Sequence, residues 1–272
     1  MGYLQTSQKR HTTQSIIRMK EQGEKIAVLT SYDFTLASLV DQAGVDVILV
    51  GDSASNVVCG NETTLPITLD EMIFLTRGVR RAAAHALVVC DMPFGTYQIS
   101  EAEAVRNAMK ILQLSGADAV KLEGGEEILP AVRRMVQSGV PVMGHLGLTP
   151  QSVNQFGGYG LRAKEDAEAQ KLLHDAQLLA EAGCFSIVFE KIPAALAQQA
   201  TAALPIPTIG IGAGSGCDGQ VLVLHDMLGL NQGFKPKFLR RFAELGENVK
   251  AAVGDYVAAV KEGSFPNAQE QY

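Results

Sequence analysis

The chain has 272 residues, 47% of them hydrophobic, and a formal charge of −6. A net-acidic field disfavours a nucleic-acid phosphate backbone or an anionic membrane surface, and no apolar run approaches the roughly 18 residues that cross a bilayer. The length sits near the roughly 250 residues of one eight-stranded α/β barrel, with 27 glycines and 10 prolines spread as punctuation between apolar runs, so residues 1–272 are expected to form a single domain.

The amino-terminal MGYLQTSQKRHTTQS lacks an apolar signal core. Cys59, Cys90, Cys184 and Cys217 have no short paired spacing, which argues against a CxxC redox site or a zinc finger and for structural thiols in a reducing compartment. The expectation is a soluble cytoplasmic protein acting on a small molecule. It should bind neither nucleic acid nor membrane.

Residues 1–24 form an amino-terminal helical extension, with a Thr or Ser cap in TTQS, Ile16, Ile17 and Met19 on one side, and Gly23 as stop. From Lys25 onward, apolar runs alternate with amphipathic stretches. The runs are KIAVLTSYD, VDVILVGDS, ALVVCDMP, AVKLEGG, VPVMGHLGL, FSIVFEKI, IPTIGIGAG and QVLVLHDML. Between them, segments such as SEAEAVRNAMKILQLSG carry helical periodicity; Ser100 and Glu103 suit a capping box, and Gly116, Gly139 and Gly183 suit helix stops. Near-continuous apolar strands separated by helices imply a parallel sheet covered on both faces, and eight of them favour closure into an α/β (βα)8 TIM barrel. The link between GIGAG and QVLVLHDML is too short for a crossover helix, so the last unit should be distorted. Residues 234–272 read as carboxyl-terminal packing helices and a tail, with Lys235, Lys237, Arg240 and Arg241 on a solvated or subunit-contacting face.

Barrel active sites lie at the carboxyl ends of the strands, so polar residues there carry the most weight. Asp52, Asp91 and Glu123 each stand where an apolar run ends. Three clustered carboxylates repel and raise one another's pKa unless a cation joins them, and all-oxygen ligation suits Mg²⁺. Helix caps or strand-end salt bridges are the competing reading. Lys121 and Glu123, two apart, share one face of their strand, as a site or as a structural ion pair. Glu190, after SIVF, is either a proton acceptor or a cap paired with Lys191. His145 reads as a possible hydrogen-bonding partner of a substrate oxygen or a ligand carboxylate, or as structural, and His225 and Asp226 as structural. Gly210 to Gly214 lack GxGxxG spacing and read as a tight turn with cofactor contact open.

Taken together, TSYDFTLA, VILVGDS, TTLPITLDEM, DMPFGTY, VKLEGG, VPVMGHLGLTPQSVNQFGGY, PTIGIGAG and DGQVLVLHDMLG resemble the ketopantoate hydroxymethyltransferases over essentially the whole chain. The resemblance implies an eight-stranded α/β barrel, Mg²⁺, and 5,10-methylenetetrahydrofolate as one-carbon donor to 3-methyl-2-oxobutanoate. The product is 2-dehydropantoate, formed through a Mg²⁺-stabilised enolate in the first step of pantothenate and coenzyme A biosynthesis. It assigns the metal to Asp52, Asp91 and Glu123, keto-acid contacts to Asp52, Ser53, Asp91 and Lys121, and the proton acceptor to Glu190. It also implies a homo-oligomer, a decamer. The family often has GDSLGM followed by GH, whereas Ala54 to Thr63 here differ, with Asn56 and Asn61 in place of Met and His. Two other readings are a Mg²⁺-dependent carbon–carbon lyase or mutase of the phosphoenolpyruvate mutase/isocitrate lyase type, and a non-catalytic barrel scaffold.

Overall fold

A computed structural model describes residues 10–233 and 235–272, so residues 1–9 of the amino-terminal extension and position 234, where the carboxyl-terminal region begins, lie outside the description. Two compact units divide the chain after Leu222.

The first unit opens with α1 (Thr13–Glu21), whose cap Thr12 exchanges hydrogen bonds with Ser15. Eight strands follow: β1 (Ile26–Thr30), β2 (Val47–Val50), β3 (Leu87–Asp91), β4 (Ala119–Glu123), β5 (Val142–Gly147), β6 (Ser186–Glu190), β7 (Thr208–Ile211) and β8 (Gly219–Leu222). All neighbouring pairs are parallel, and β8 returns to β1 to close the barrel. Helices α2 (Phe34–Gln42), α3 (Ala54–Val57), α4 (Leu69–Ala82), α5 (Glu101–Ser115), α6 (Leu129–Gln137), α7 (Val153–Phe156), α8 (Asp166–Glu181) and α9 (Ala194–Ala203) fill the connections up to β7. The (βα)8 expectation holds, including the short β7–β8 link, which carries no helix.

Local sequence explains the helix ends. Thr68 and Glu71 form a complete capping box on α4, with Asp70 and Glu71 in its first turn and Arg80 and Arg81 in its last, all complementing the helix dipole. Ser100 supplies one half of the anticipated box on α5, its side chain accepting the Glu103 N–H at 3.3 Å. Gly116 ends that helix at φ 78°, a left-handed conformation that glycine adopts without a Cβ penalty.

Inside the barrel, alternate strand residues meet: Ile26 and Val28, Val47 and Leu49, Leu87 and Val89, then Ala119, Met143, Val188, Ile209 and Val221. Ile16 and Met19 of α1 join this core from the amino-terminal end, where Lys20 also bonds Asp218 ahead of β8. At the same end Asp41 accepts the N–H groups of Ala84, His85 and Ala86. Each fully buried aliphatic side chain contributes about 1.5–3 kcal/mol. One end of the barrel is therefore sealed by packing, and chemistry is left to the other.

QVLVLHDML, expected as one strand, divides. Pairing stops at Leu222, because β7 offers register partners only for Gly219 and Gln220 and β1 only as far as Leu222. The rest, in the second unit, turns into α10 (Leu224–Met227). In that unit Asn231 bonds the Asp226 carboxylate, and Arg241 holds the carbonyls of Asn231 and Gln232. Helix α11 (Leu245–Glu262) is the long element. Lys235, Lys237, Arg240 and Arg241 precede it rather than lie on it, since residues 235–244 form turns and irregular backbone. Val249, Val253, Val257 and Val260 of α11 are exposed.

Candidate active site

Strand alternation carries the buried core directly into the polar mouth. On β3 the inward series is Leu87, Val89, Asp91; on β4 it is Ala119, Lys121, Glu123; on β5 Met143 leads to His145, and on β6 Val188 leads to Glu190. Parallel register then sets these residues side by side, with Asp91 opposite Lys121, Glu123 opposite His145, and Gly147 opposite Glu190. Gly147 sits so close to the Glu190 carbonyl that a Cβ would collide with it. Asp52 lies two residues beyond β2, and its N–H donates to Asp91 Oδ2 at 3.0 Å. Ser53 Oγ lies 2.9 Å from the Tyr32 hydroxyl. The structure thus gathers Asp52, Asp91, Lys121, Glu123, His145 and Glu190 at one mouth.

Lys121 is buried, with Nζ 3.3 Å from Asp91 Oδ1 and 3.0 Å from His145 Nδ1. Burial alone pulls an ammonium pKa down, but Asp91, Glu123 and Asp52 outweigh it and hold the Lys121 pKa above its ordinary value. A charged Lys121 donates to Nδ1, which assigns the His145 proton to Nε2, 3.4 Å from Glu190 Oε2. Burial and the Lys121 charge push the His145 pKa down to about 4, so its imidazole is neutral at physiological pH. Because Nδ1 is an acceptor, it cannot satisfy Glu123 Oε1 at 3.3 Å, and that oxygen has no hydrogen-bond partner. Asp91 Oδ1 likewise lacks one in hydrogen-bond geometry.

The three carboxylates are strained electrostatically. Burial, reinforced by Glu123, raises the Asp52 pKa to about 6; burial, partly offset by Lys121, raises Asp91 and Glu123 to about 7 each. Among the described residues, no three His, Cys, Asp or Glu side chains are drawn together as a metal-holding group. Like charges have no reason to converge unaided. Glu190 differs from the other acids: it sits at the rim, its side chain 16% exposed.

Sequence reasoning missed Gln151 and Tyr97. The Gln151 side chain bonds Asp52 Oδ2 at 2.9 Å and its backbone N–H bonds Glu123 Oε2 at 2.9 Å; Tyr97 bonds Gln151 Oε1 at 2.7 Å. Neither ends a strand, so the signal that located the acids was blind to both. Asp91 is the nearest carboxylate to Lys121, and Glu123 reaches His145 instead. Lys191 does not pair with Glu190; its ammonium bonds the Tyr159 carbonyl, from a backbone at φ 45°. The altered loop after Asp52 is laced internally, Asn56 donating to the Asn61 carbonyl at 2.9 Å and Asn61 to Ser55 Oγ at 3.1 Å. The Gly210–Gly214 run makes the close turn expected of it, since a Cβ on Gly210 would press on Cys217 and Gln220, and one on Gly214 on Ala194.

A closed (βα)8 barrel carrying carboxylates, an ammonium and a neutral imidazole at its carboxyl-terminal mouth defines a barrel enzyme. Solved structures with this fold include a phosphoenolpyruvate phosphomutase from Streptomyces platensis subsp. rosaceus (13% identity, TM-score 0.63, covering 93% of this chain and 88% of that one). Another is a phosphonopyruvate hydrolase solved with oxalate and Mg²⁺ (12% identity, TM-score 0.61, covering 96% and 93%). The chain belongs to the ketopantoate hydroxymethyltransferase family, whose model matches residues 10–268. It is 58% identical over 271 residues to the 3-methyl-2-oxobutanoate hydroxymethyltransferase of Bacteroides fragilis (100% of this chain, 99% of that protein). To the Flavobacterium johnsoniae enzyme of the same name it is 59% identical over 264 residues (97% of each). Among the described residues, no helix is long and apolar enough to cross a membrane.

Proposed function

We propose that this enzyme transfers a one-carbon unit from 5,10-methylenetetrahydrofolate to 3-methyl-2-oxobutanoate, giving 2-dehydropantoate, the first step of pantothenate biosynthesis. The observation that carries this reading is the division of the mouth into two parts. Asp52, Asp91 and Glu123 are sealed and electrostatically strained, while Glu190 stands at the rim beside them, with His145 between it and Glu123 at 3.4 and 3.3 Å.

The sealed part fits a divalent cation. Its donors are carboxylate oxygens, two of them without a hydrogen-bond partner, and a cation would relieve the raised pKa of all three acids. One or two carboxylates are enough for Mg²⁺, which keeps water and substrate oxygens as its other ligands. When bound, Mg²⁺ would polarise the keto acid's carbonyl.

Glu190 takes the proton from carbon 3 of the keto acid. Water opens the folate's methylene bridge, both carbon–nitrogen bonds breaking as its two protons pass to the folate nitrogens. The enolate carbon attacks the one-carbon unit so released as formaldehyde; the resulting alkoxide takes back the proton held by Glu190, giving the product's hydroxyl beside tetrahydrofolate. Lys121 offsets negative charge developing on the keto-acid oxygen from a buried position, where an ammonium acts more strongly than in water. His145 Nε2 lies 3.4 Å from Glu190 Oε2 without a hydrogen-bond partner, close enough to donate to that carboxylate when the keto acid is bound. Asp52, Ser53, Asp91 and Lys121 are the keto-acid contacts. Exposed Phe34, Leu39 and Phe74 on α2 and α4 support a homo-oligomer.

The test is to incubate the protein with 3-methyl-2-oxobutanoate, methylenetetrahydrofolate and Mg²⁺, with and without chelator. Chelator-sensitive 2-dehydropantoate formation is the expected result. No product with metal bound would favour a lyase or mutase, and no metal binding a scaffold.

A further inference from the structure

We propose that Gln151, locked by Tyr97, is the positioning residue that orients Asp52 and Glu123 for a divalent cation. The inference rests on the reading that these carboxylates hold the cation.

A carboxamide has two donor hydrogens and two acceptor lone pairs, and buried in this mouth Gln151 uses all four. Its Nε2 donates to Asp52 Oδ2 at 2.9 Å and to the Met92 carbonyl at 3.0 Å. Its Oε1 accepts from the Tyr97 hydroxyl at 2.7 Å and from Gln98 Nε2 at 3.2 Å. A flipped amide would set oxygen against the Asp52 carboxylate and the Met92 carbonyl, and nitrogen against Gln98 Nε2. Three contacts would turn from attraction to repulsion, so one orientation is specified.

Tyr97 supplies the lock. Its oxygen already accepts the Glu123 N–H at 3.1 Å, and its only hydrogen has two acceptors in reach, Gln151 Oε1 at 2.7 Å and the Glu123 carbonyl at 3.2 Å, of which Gln151 is the closer. The Gln151 backbone, in the 3-10 turn Pro150–Ser152, donates to Glu123 Oε2 at 2.9 Å. A single residue thus ties one oxygen of the acid beyond β2 and one of the acid ending β4. Glu123 keeps Oε1 unpartnered. A neutral donor suits this role, since it fixes a carboxylate without adding charge that would compete with a cation. Residues that hold metal ligands in place typically change metal affinity by about 10–100-fold when replaced.

The test uses the full chain as wild type, Tyr97→Phe and Gln151→Met, stripped with chelator and titrated with Mn²⁺ while the electron paramagnetic resonance signal reports free and bound ion. Melting of the metal-free proteins measures any structural cost separately. Both variants should bind Mn²⁺ about 10–100-fold more weakly and show an altered bound-ion spectrum, with loss of affinity exceeding any loss seen in metal-free melting. Wild-type affinity and spectrum in a folded variant would overturn the proposal. Tyr97→Phe, which removes one oxygen, decides the matter if Gln151→Met does not fold. Absence of Mn²⁺ binding by the wild type would overturn the cation reading itself, and this inference with it.

Discussion

Replacing Lys121 with Met keeps the volume of a buried side chain but removes the ammonium 3.3 Å from Asp91 Oδ1 and 3.0 Å from His145 Nδ1. In the wild type the folded Asp91 pKa is about 7, raised by burial although Lys121 lowers it. Such a group stabilises the fold below its unfolded pKa of about 3.9, and that contribution is lost as pH rises through the folded value. Without Lys121 the folded value climbs further, so the variant holds its proton where the wild type releases it. Lys121 itself has a raised pKa and contributes fully below its unfolded value of about 10.4, so its own titration is constant over this range. Lys121 also lowers the Asp52 and Glu123 pKa values, so the stability gap should be flat only up to about pH 6. Above about pH 7 it should widen by at least about 1.4 kcal/mol per pH unit, towards the 3–5 kcal/mol (order of magnitude) of a buried charge without its partner. Urea unfolding in chelator from about pH 7 to pH 9, above the titration of His145, reads this slope. A gap independent of pH would refute the coupling.

Glu190→Gln should lower kcat by about 10²–10⁴-fold while leaving keto-acid binding mostly intact, and full turnover in a steady-state assay would remove Glu190 from the role of base. Protons compete with a cation at Asp52, Asp91 and Glu123, whose pKa values lie at about 6, 7 and 7; Mn²⁺ affinity measured by calorimetry should therefore rise from about pH 5 to pH 8 and level off beyond. At the sealed end of the barrel, burial raises the Asp41 pKa, but hydrogen bonds from Ala86, His85 and Ala84 outweigh it and the net shift is downward. Asp41→Asn should cost about 2 kcal/mol in urea unfolding at neutral pH. The cost should shrink as pH falls through the carboxyl's folded pKa, with kcat unchanged at permissive temperature.

Much of the fold was legible in one dimension because the barrel repeats one local pattern. A four- or five-residue apolar run that ends in an acid can be found without knowing what lies beside it, which is how Asp91, Glu123 and Glu190 stood out. The limit of QVLVLHDML was hidden, since a strand ends where its neighbours stop pairing. The turns over residues 235–244 were equally hidden, because Phe238, Leu239 and Phe242 suit a helix by composition alone.

What the sequence determined by itself was the alternation of strands and helices, and with it the face on which Asp91, Lys121, Glu123, His145 and Glu190 point. Both depend on periods of two and 3.6 residues that any window of the chain displays. Only the tertiary structure decided who meets whom. Register put Lys121 on Asp91 rather than Glu123, and His145 between Glu123 and Glu190. The turn after β5 brought Gln151 across 99 residues to Asp52. Those pairings depend on the closure of eight strands into one ring, and no local stretch of sequence contains that distance.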